Sequence, residues 1–235
     1  KIIDLSKVNF ILMRQNPPFN MDYITATFLL EKISKKARII NDPVAVRNMP
    51  EKLHSMRFLN LMPATIFTRN IDEIDKFIKK HKKIVIKPTH GYGGKNILFV
   101  DKRLKKKKIL SYIDKHNQVM VQKFLPKIEE GDKRVFVIGG VIKGAIRRVP
   151  ARNSIISNIG QGGMPTKTSL TKQELKIAKI VATDLKKNQI VFAGIDLISG
   201  YLTGDINITS PTGLKNYKDL TGINLAVDFW NYLEN

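Results

Sequence analysis

The chain has 235 residues, 43% of them hydrophobic, with 41 Lys and Arg against 20 Asp and Glu and no cysteine. That length supports one or two compact domains with a real core, and no apolar run reaches the roughly 20 residues needed to span a bilayer. Without cysteine there is no disulfide, thiol nucleophile or thiolate metal site, which fits a cytoplasmic chain. The formal net charge of +21 would attract nucleic acid, anionic lipid or phosphorylated substrates. The densest basic run, residues 102–108, lacks the interleaved aromatics on which bases stack, and the basic residues spread along the whole chain. The charge therefore reads as a solvated surface that attracts anionic substrates, with no specific nucleic-acid or membrane partner. The first residue is Lys1 and no charged-then-apolar leader follows it, so the sequence is expected to begin inside a longer chain.

In chain order, residues 8–13 form a short apolar run that reads as a strand and breaks at Pro17 and Pro18. Tyr23, Ala26, Thr27, Leu29, Leu30 and Ile33 mark one face of a helix ending near Lys36. Residues 39–43 read as strand then turn, residues 51–61 as a helix stopped by Pro63, and residues 65–68 as a strand. Ile71, Ile74, Phe77 and Ile78 give a second amphipathic helix, and residues 84–88 a strand that runs into the Gly-rich loop 90–94. Strand 97–100, helix 109–115 and strand 119–122 follow. Residues 134–138 and 141–148 form a hairpin around Gly139 and Gly140. Residues 152–168 read as a polar loop without periodicity, a length that in a compact domain points to function or disorder. A helix over 170–186, a second hairpin turning at Ser199 and Gly200, and a helix from about Ile223 complete the chain. Mixed strands and helices with several hairpins give an α+β (mixed α/β) class rather than strict βαβ alternation.

The last hairpin carries the most chemistry. Alternation along its strands puts Asp205 and Asn207 on one face, and Ser199–Gly200 as a two-residue turn opposes Ile198 to Tyr201 and Asp196 to Thr203. Asp196 then joins Asp205 and Asn207, three oxygen-bearing side chains on one face, which suits a hard cation such as Mg²⁺ or else is the wet polar face of a two-stranded sheet. Lys87 ends an apolar strand, where a lysine needs an anionic partner or an edge, and the glycines after it let backbone N–H groups approach an anion. The 122–126 segment can be a hinge with exposed backbone and an apolar wall, and Arg134, Arg147 and Arg148 lie on the arms of one hairpin. The four histidines have no metal-ligand spacing and no Gly-x-Ser-x-Gly elbow occurs. Mg²⁺, Lys and Arg are the equipment of phosphoryl transfer.

The order of these parts resembles the ATP-grasp superfamily, and within it the bacterial glutathione synthetase family. The segments that carry the resemblance are 11–14 with Pro17, Pro18 and Phe19, then 41–43, 51–53, 86–88, 91–94, 122–126, 131–135, 148–150, 162–163, 194–196 and 206–213. The resemblance implies an ATP-grasp fold: two α+β subdomains that clamp ATP, residues 46–125 as the small lid subdomain and 126–235 as the large one with the metal site. Residues 1–45 would be what this chain holds of an N-terminal α/β substrate-side domain, which in the family has further N-terminal residues. Lys52 and Lys87 would contact ATP phosphates under a lid containing Gly93 and Gly94. The hinge with Gln122, Phe124 and Leu125 would hold adenine, and Asp132 the ribose. Arg134 and Arg148 would face the transferred phosphate, Asp196, Asp205 and Asn207 would bind Mg²⁺ (Mn²⁺ as the alternative), and residues 152–168 would cover the substrates.

The family has Glu where Asp205 stands, with one residue fewer before it, so Gly204 is expected in a bulge. It usually has arginine where Ile156 stands, and often another where Met164 stands. The implied reaction is ATP-dependent joining of γ-glutamylcysteine to glycine through an acyl phosphate, with release of ADP and phosphate. Two alternatives remain open: another ATP-grasp carboxylate–amine ligase with a different acceptor, and a basic nucleic-acid-associated protein with a degenerate nucleotide site. The partners are small-molecule substrates, with a homo-oligomer left open.

Overall fold

The computed structural model describes residues 2–101, 103–152 and 154–235. Lys1, Lys102 of the basic run and Asn153 of the long loop lie outside the described residues. Three sheets organise the described residues, and each follows from where the apolar residues alternate.

The first is a parallel pair, β1 (Phe10–Leu12) and β2 (Arg38–Ile40), joined through α1 (Met21–Glu31). Asn20 caps α1 by accepting from the Tyr23 N–H. α1 ends at Glu31 and turns fill 32–36, so it is shorter than the apolar spacing suggested. Only Tyr23 and Thr27 are buried on it, while Leu29 is exposed. α2 (Pro43–Asn48) replaces the expected turn. Proline at a first helical position gives up an N–H that has no partner there anyway, and the Asp42 carboxylate accepts from the Ala45 N–H. α3 (Glu51–His54) then passes into a 3-10 segment, Ser55–Leu61, where a continuous α-helix was expected.

The second sheet is antiparallel, with order β3 (Thr65–Thr68), β6 (Val119–Lys123), β4 (Ile84–Pro88), β5 (Leu98–Val100). Ile84, Ile86, Val119 and Val121 point to α4 (Ile71–His81) and α5 (Lys106–His116), where they pack with Ile74, Phe77, Ile109 and Ile113. α4 carries Asp72 and Glu73 in its first turn and Lys79, Lys80 and His81 in its last, which suits the helix dipole. Because successive side chains alternate, Val85, Lys87 and Gln122 face the opposite side.

The third sheet has order β11 (Tyr201–Asn207), β10 (Phe192–Ile198), β7 (Asp132–Ile138), β8 (Val141–Val149), β9 (Met164–Lys167). β9 and a 3-10 turn at Ile159–Gln161 lie inside the segment expected to be loop, so β8 gains a partner that periodicity did not show. Four residues of which one is proline carry too little alternation to be read. One face of this sheet packs on α6 (Lys172–Lys187), whose Thr171–Glu174 capping box is complete. The same core continues through Met13, Tyr23, Val46, Met49 and Phe58, so the N-terminal segment is joined to it. The other face is covered at one end by α7 (Leu214–Thr221) and α8 (Leu225–Glu234), through Phe136, Ile138, Phe192, Tyr217 and Phe229. α7 was not read from sequence: it starts after Gly213 without a side-chain cap and buries only Tyr217. None of the described helices is long and apolar enough to cross a membrane.

Candidate active site

Two strand faces meet across a cleft. On the large sheet, Phe136, Ile138 and Phe192 lie under α7 and α8, and the same face continues along the strands to Asp132, Arg134 and Asp196. Alternation thus makes one strand face apolar at one end and charged at the other. From the small sheet come Val85, Lys87 and Gln122. α3 packs on β11, which brings Lys52 in from a third direction.

The β10–β11 hairpin pairs Ile198 with Tyr201 and Leu197 with Leu202, then shifts so that Ile195 pairs with Ile206 and Gly194 with Asn207. Thr203, Gly204 and Asp205 all lie opposite Asp196, so the expected single pairing of Asp196 with Thr203 becomes a bulge. Gly204 takes φ +89° in it. A Cβ on Gly204 would lie 2.3 Å from the Met120 Cε. The shift is by two residues, so it keeps Asp205 and Asn207 on the Asp196 face.

Arg134 holds Asp196 with a two-pronged fork, Nε to Oδ1 at 2.5 Å and Nη2 to Oδ2 at 2.7 Å. Arg148 bridges two carboxylates, donating from Nε to Asp132 Oδ1 at 2.8 Å and from Nη2 to Asp132 Oδ2, with Nη2 2.9 Å from Asp196 Oδ2. Asn207 Nδ2 is 3.4 Å from Asp196 Oδ2. Lys52 Nζ lies 3.1 Å from Asp205 Oδ1 and Lys87 Nζ 3.2 Å from Asp205 Oδ2. Lys52 also donates to Glu51 Oε1 at 2.8 Å and to the Gly91 carbonyl at 2.7 Å.

Burial would raise both metal-candidate carboxyls, but their cations win. Lys87 and Lys52 hold Asp205 well below the usual carboxylate range, and Arg134 and Arg148 hold Asp196 below it. Burial pushes the Glu51 carboxyl up to about 7 against the pull of Lys52, with Asp205 adding to the rise. Burial would lower Lys52, yet Glu51 and Asp205 raise it above the usual lysine value. Burial raises Asp132 despite Arg148. Asp196 and Asp132 likewise raise Arg148 against its burial, so Lys52 and Arg148 are held charged by the carboxylates they face.

Thirteen residues singled out from the sequence line this one cleft: Lys52, Lys87, Gly93, Gly94, Gln122, Phe124, Leu125, Asp132, Arg134, Arg148, Asp196, Asp205 and Asn207; Arg147, grouped with Arg134 and Arg148 from the sequence, does not, because its side chain falls on the other face of its strand. Sequence reasoning missed Glu51, Lys95, Ile128 and Thr203 in the lining. Thr203 sits beside Asp205, donating from Oγ1 to Oδ2 at 3.1 Å, and its place in the bulge could not be read before the register was known. Asp132 lines the cleft with both oxygens engaged by Arg148, and Gln122 Nε2 donates to Thr65 Oγ1 at 2.9 Å. The segment over the cleft includes Ile155 to Asn158, and a Cβ on Gly94 would come 2.7 Å from Ile156 Cγ2, so the two loops touch. Met164, by contrast, is exposed on β9. A second cavity adjoins, sharing Glu51, Arg134 and Asn207 and reaching Asn16, Phe19, Thr209 and Thr212.

Among the described residues, no group of three or more His, Cys, Asp or Glu is placed to hold a metal ion. The trio here is two carboxylates and an amide on one sheet face, an all-oxygen donor set that fits a hard dication sharing its shell with water and phosphate.

The sequence of the chain matches the model of the prokaryotic glutathione synthetase ATP-grasp domain over residues 51–222 and that of the same family's N-terminal domain over residues 1–47. Proteins named glutathione synthetase are similar throughout. That of Bradyrhizobium diazoefficiens is 40% identical, covering 98% of this chain and 74% of its own. That of Rhodopseudomonas palustris is 38% identical over 99% and 75%, and that of Synechocystis 35% over 98% and 73%. Among solved structures, a D-alanine–D-alanine ligase from Bacillus anthracis complexed with ATP superposes with a TM-score of 0.68 at 17% identity, covering 96% of this chain and 78% of its own. The macrocyclase MdnC from Microcystis aeruginosa, bound with a precursor peptide, gives 0.70 at 14%, covering 99% and 80%. At those identities the likeness is one of fold alone. Near-complete sequence coverage by one family and the clamp itself agree: the chain belongs to the prokaryotic glutathione synthetase family and has the ATP-grasp fold.

Proposed function

We propose that the cleft joins γ-glutamylcysteine to glycine using ATP, as an ATP-dependent carboxylate–amine ligase, and that residues 1–45, 46–125 and 126–235 act as substrate-side unit, lid subdomain and large subdomain. The observation that carries this is the convergence of Lys52, Lys87, Arg134 and Arg148 with Asp196, Asp205 and Asn207 in one cavity of a chain from this family. Two lysines and two arginines, drawn from four elements, suit a polyanion whose charge redistributes during reaction.

In this reading Lys52 and Lys87 bind the triphosphate, and Gly93 and Gly94 let the lid backbone approach it. Gln122, Phe124 and Leu125 flank adenine, and a ribose hydroxyl shares Asp132 with Arg148. The dipeptide carboxylate forms a bond to the γ-phosphorus as the bond to ADP breaks. Arg134 and Arg148 stabilise the transferred phosphoryl oxygens. The glycine amine then forms a bond to the acyl carbon, loses its proton, and phosphate leaves. No protein nucleophile is required; the chain's part is positioning and charge stabilisation. When bound by Asp196, Asp205 and Asn207, a divalent cation, Mg²⁺ with Mn²⁺ as the alternative, supplies charge neutralisation at the phosphate oxygens. In this reading the enzyme is cytoplasmic and acts on small-molecule substrates.

The test is formation of glutathione, read by mass, together with ADP and phosphate when the chain is given ATP, Mg²⁺, γ-glutamylcysteine and glycine. The second reading is a ligase of the same kind with a different acceptor amine. A panel of amines in the same assay separates the two. Absence of ADP formation with every carboxylate and amine offered would refute both.

A further inference from the structure

We propose that Asp205 is the standing counter-anion of the Lys52–Lys87 pair, so that it competes with phosphate for both ammonium groups. This rests on reading the cleft as the nucleotide site. Lys52 comes from α3 and Lys87 from β4, yet their ammonium groups meet the two oxygens of one carboxylate, at 3.1 and 3.2 Å. Their side chains are only 6% and 8% exposed, so their mutual repulsion is poorly screened by water. Among the described residues, Lys87 has Asp205 as its sole ion-pair partner, and Lys52 has Asp205 and Glu51. Lys87 Nζ also donates to the Thr203 carbonyl at 3.1 Å, so the bulge that carries Asp205 holds the lysine twice.

Asp205 thus keeps two like charges together where phosphate oxygens would bind. The same contacts make it the group that phosphate must displace. A divalent cation that draws Asp205 away leaves Lys87 without its ion pair and Lys52 with Glu51 alone, and phosphate that takes the lysines frees Asp205. Cation and nucleotide therefore strengthen each other's binding through one side chain, a coupling that must be reciprocal. A role confined to holding metal would leave nucleotide binding without metal indifferent to this residue.

The experiment titrates ADP into the whole chain by calorimetry, once with a chelator and once with Mg²⁺. Asp205→Asn is expected to bind ADP about fivefold or more tighter than wild type in chelator, and more weakly than wild type in Mg²⁺. Asp228→Asn removes the same charge from a pair with Lys143 away from the cleft, and is expected to change neither affinity. Unchanged or weaker binding of Asp205→Asn in chelator overturns the proposal, while wild-type binding in Mg²⁺ leaves the nucleotide site standing. No ADP binding by any form under either condition overturns both. A second measurement on wild type alone avoids any folding defect of the variant. Amine labelling read by mass spectrometry should rise several-fold at Lys52 and Lys87 on adding Mg²⁺, relative to Lys143, and unchanged labelling refutes the exchange.

Discussion

Arg134 and Asp196 are direct cross-strand partners on β7 and β10, and the guanidinium grips the carboxylate through two bonds of 2.5 and 2.7 Å. Both are buried, and Arg148 reaches the same carboxylate from β8. The pair ties the arginines proposed for phosphate to the first of the metal candidates.

Arg134→Lys keeps the charge and loses the fork. Turnover is expected to fall by about 10²-fold, with stability lowered by about 1–3 kcal/mol because one carboxylate oxygen loses its donor. Phosphate-release kinetics with a denaturant melt check both, and wild-type turnover in a folded variant would remove Arg134 from the reaction.

Lys87→Met removes an ammonium and leaves an apolar stem in the cleft lining, which also contains Val85, Pro88 and Gln122. ADP affinity in Mg²⁺ is expected to fall about tenfold or more, since a charge-assisted bond to phosphate is lost. The melting temperature should fall only a few degrees, as Lys52 still neutralises Asp205. Calorimetry beside a thermal melt decides it; equal ADP affinity would place the triphosphate elsewhere.

Gly204→Ala places a Cβ at φ +89° and 2.3 Å from the Met120 Cε, with Met62 Cε at 2.9 Å. Strain and overpacking should cost about 1–3 kcal/mol, moderated because methionine ends can move. Adding Met120→Ala should not restore stability, because the backbone strain remains and a cavity opens. Equilibrium unfolding of the single and double variants checks this; full rescue by the second change would show that contact, not φ, dominates.

His54 Nε2 lies 2.8 Å from Asp184 Oδ2, linking α3 to α6. Burial holds the imidazole below its ordinary value of 6.5, against the opposing pull of Asp184. With the folded pKa depressed, its contribution to stability is present above 6.5 and is lost as pH falls through the folded value. His54→Gln should therefore flatten the fall in melting temperature below pH 6.5 relative to wild type. Parallel profiles would show that other groups carry it.

The basic run lies apart from the cleft: Lys106 pairs with Asp75 at 2.7 Å on α4, and none of residues 103–108 lines the cavity. Changing Lys105, Lys107 and Lys108 to Gln should leave turnover at moderate salt within about twofold, because charges beyond roughly 8–10 Å are screened. The rate of ATP association should still fall as salt rises, reflecting the +21 of the whole chain. Stopped-flow association across ionic strengths tests this, and sequence-selective nucleic-acid binding at physiological salt would contradict it.

By itself the sequence determined most of the strands and helices, because the apolar runs at 84–88, 119–122, 134–138 and 192–198, and the helical spacing within 71–78 and 170–186, are local properties of side chains. It also determined which residues carry charge at strand ends, and motif order was enough to draw Lys87, Asp132, Arg134, Arg148, Asp196 and Asn207 toward one family of sites. Short elements escaped it: α2, α7 and β9 have too few residues for a period to show, and each exists because a cap, a buried tyrosine or a neighbouring strand supports it. Tertiary structure alone decided that Lys52 and Lys87, 35 positions apart on a helix and a strand, share one carboxylate. It also decided that the bulge expected at Gly204 slips the hairpin by two residues, since where Asp205 sits depends on a strand register and on Met120 packing from another sheet. Those are relations between distant segments, set by how two sheets close on each other, and no window of neighbouring residues contains them.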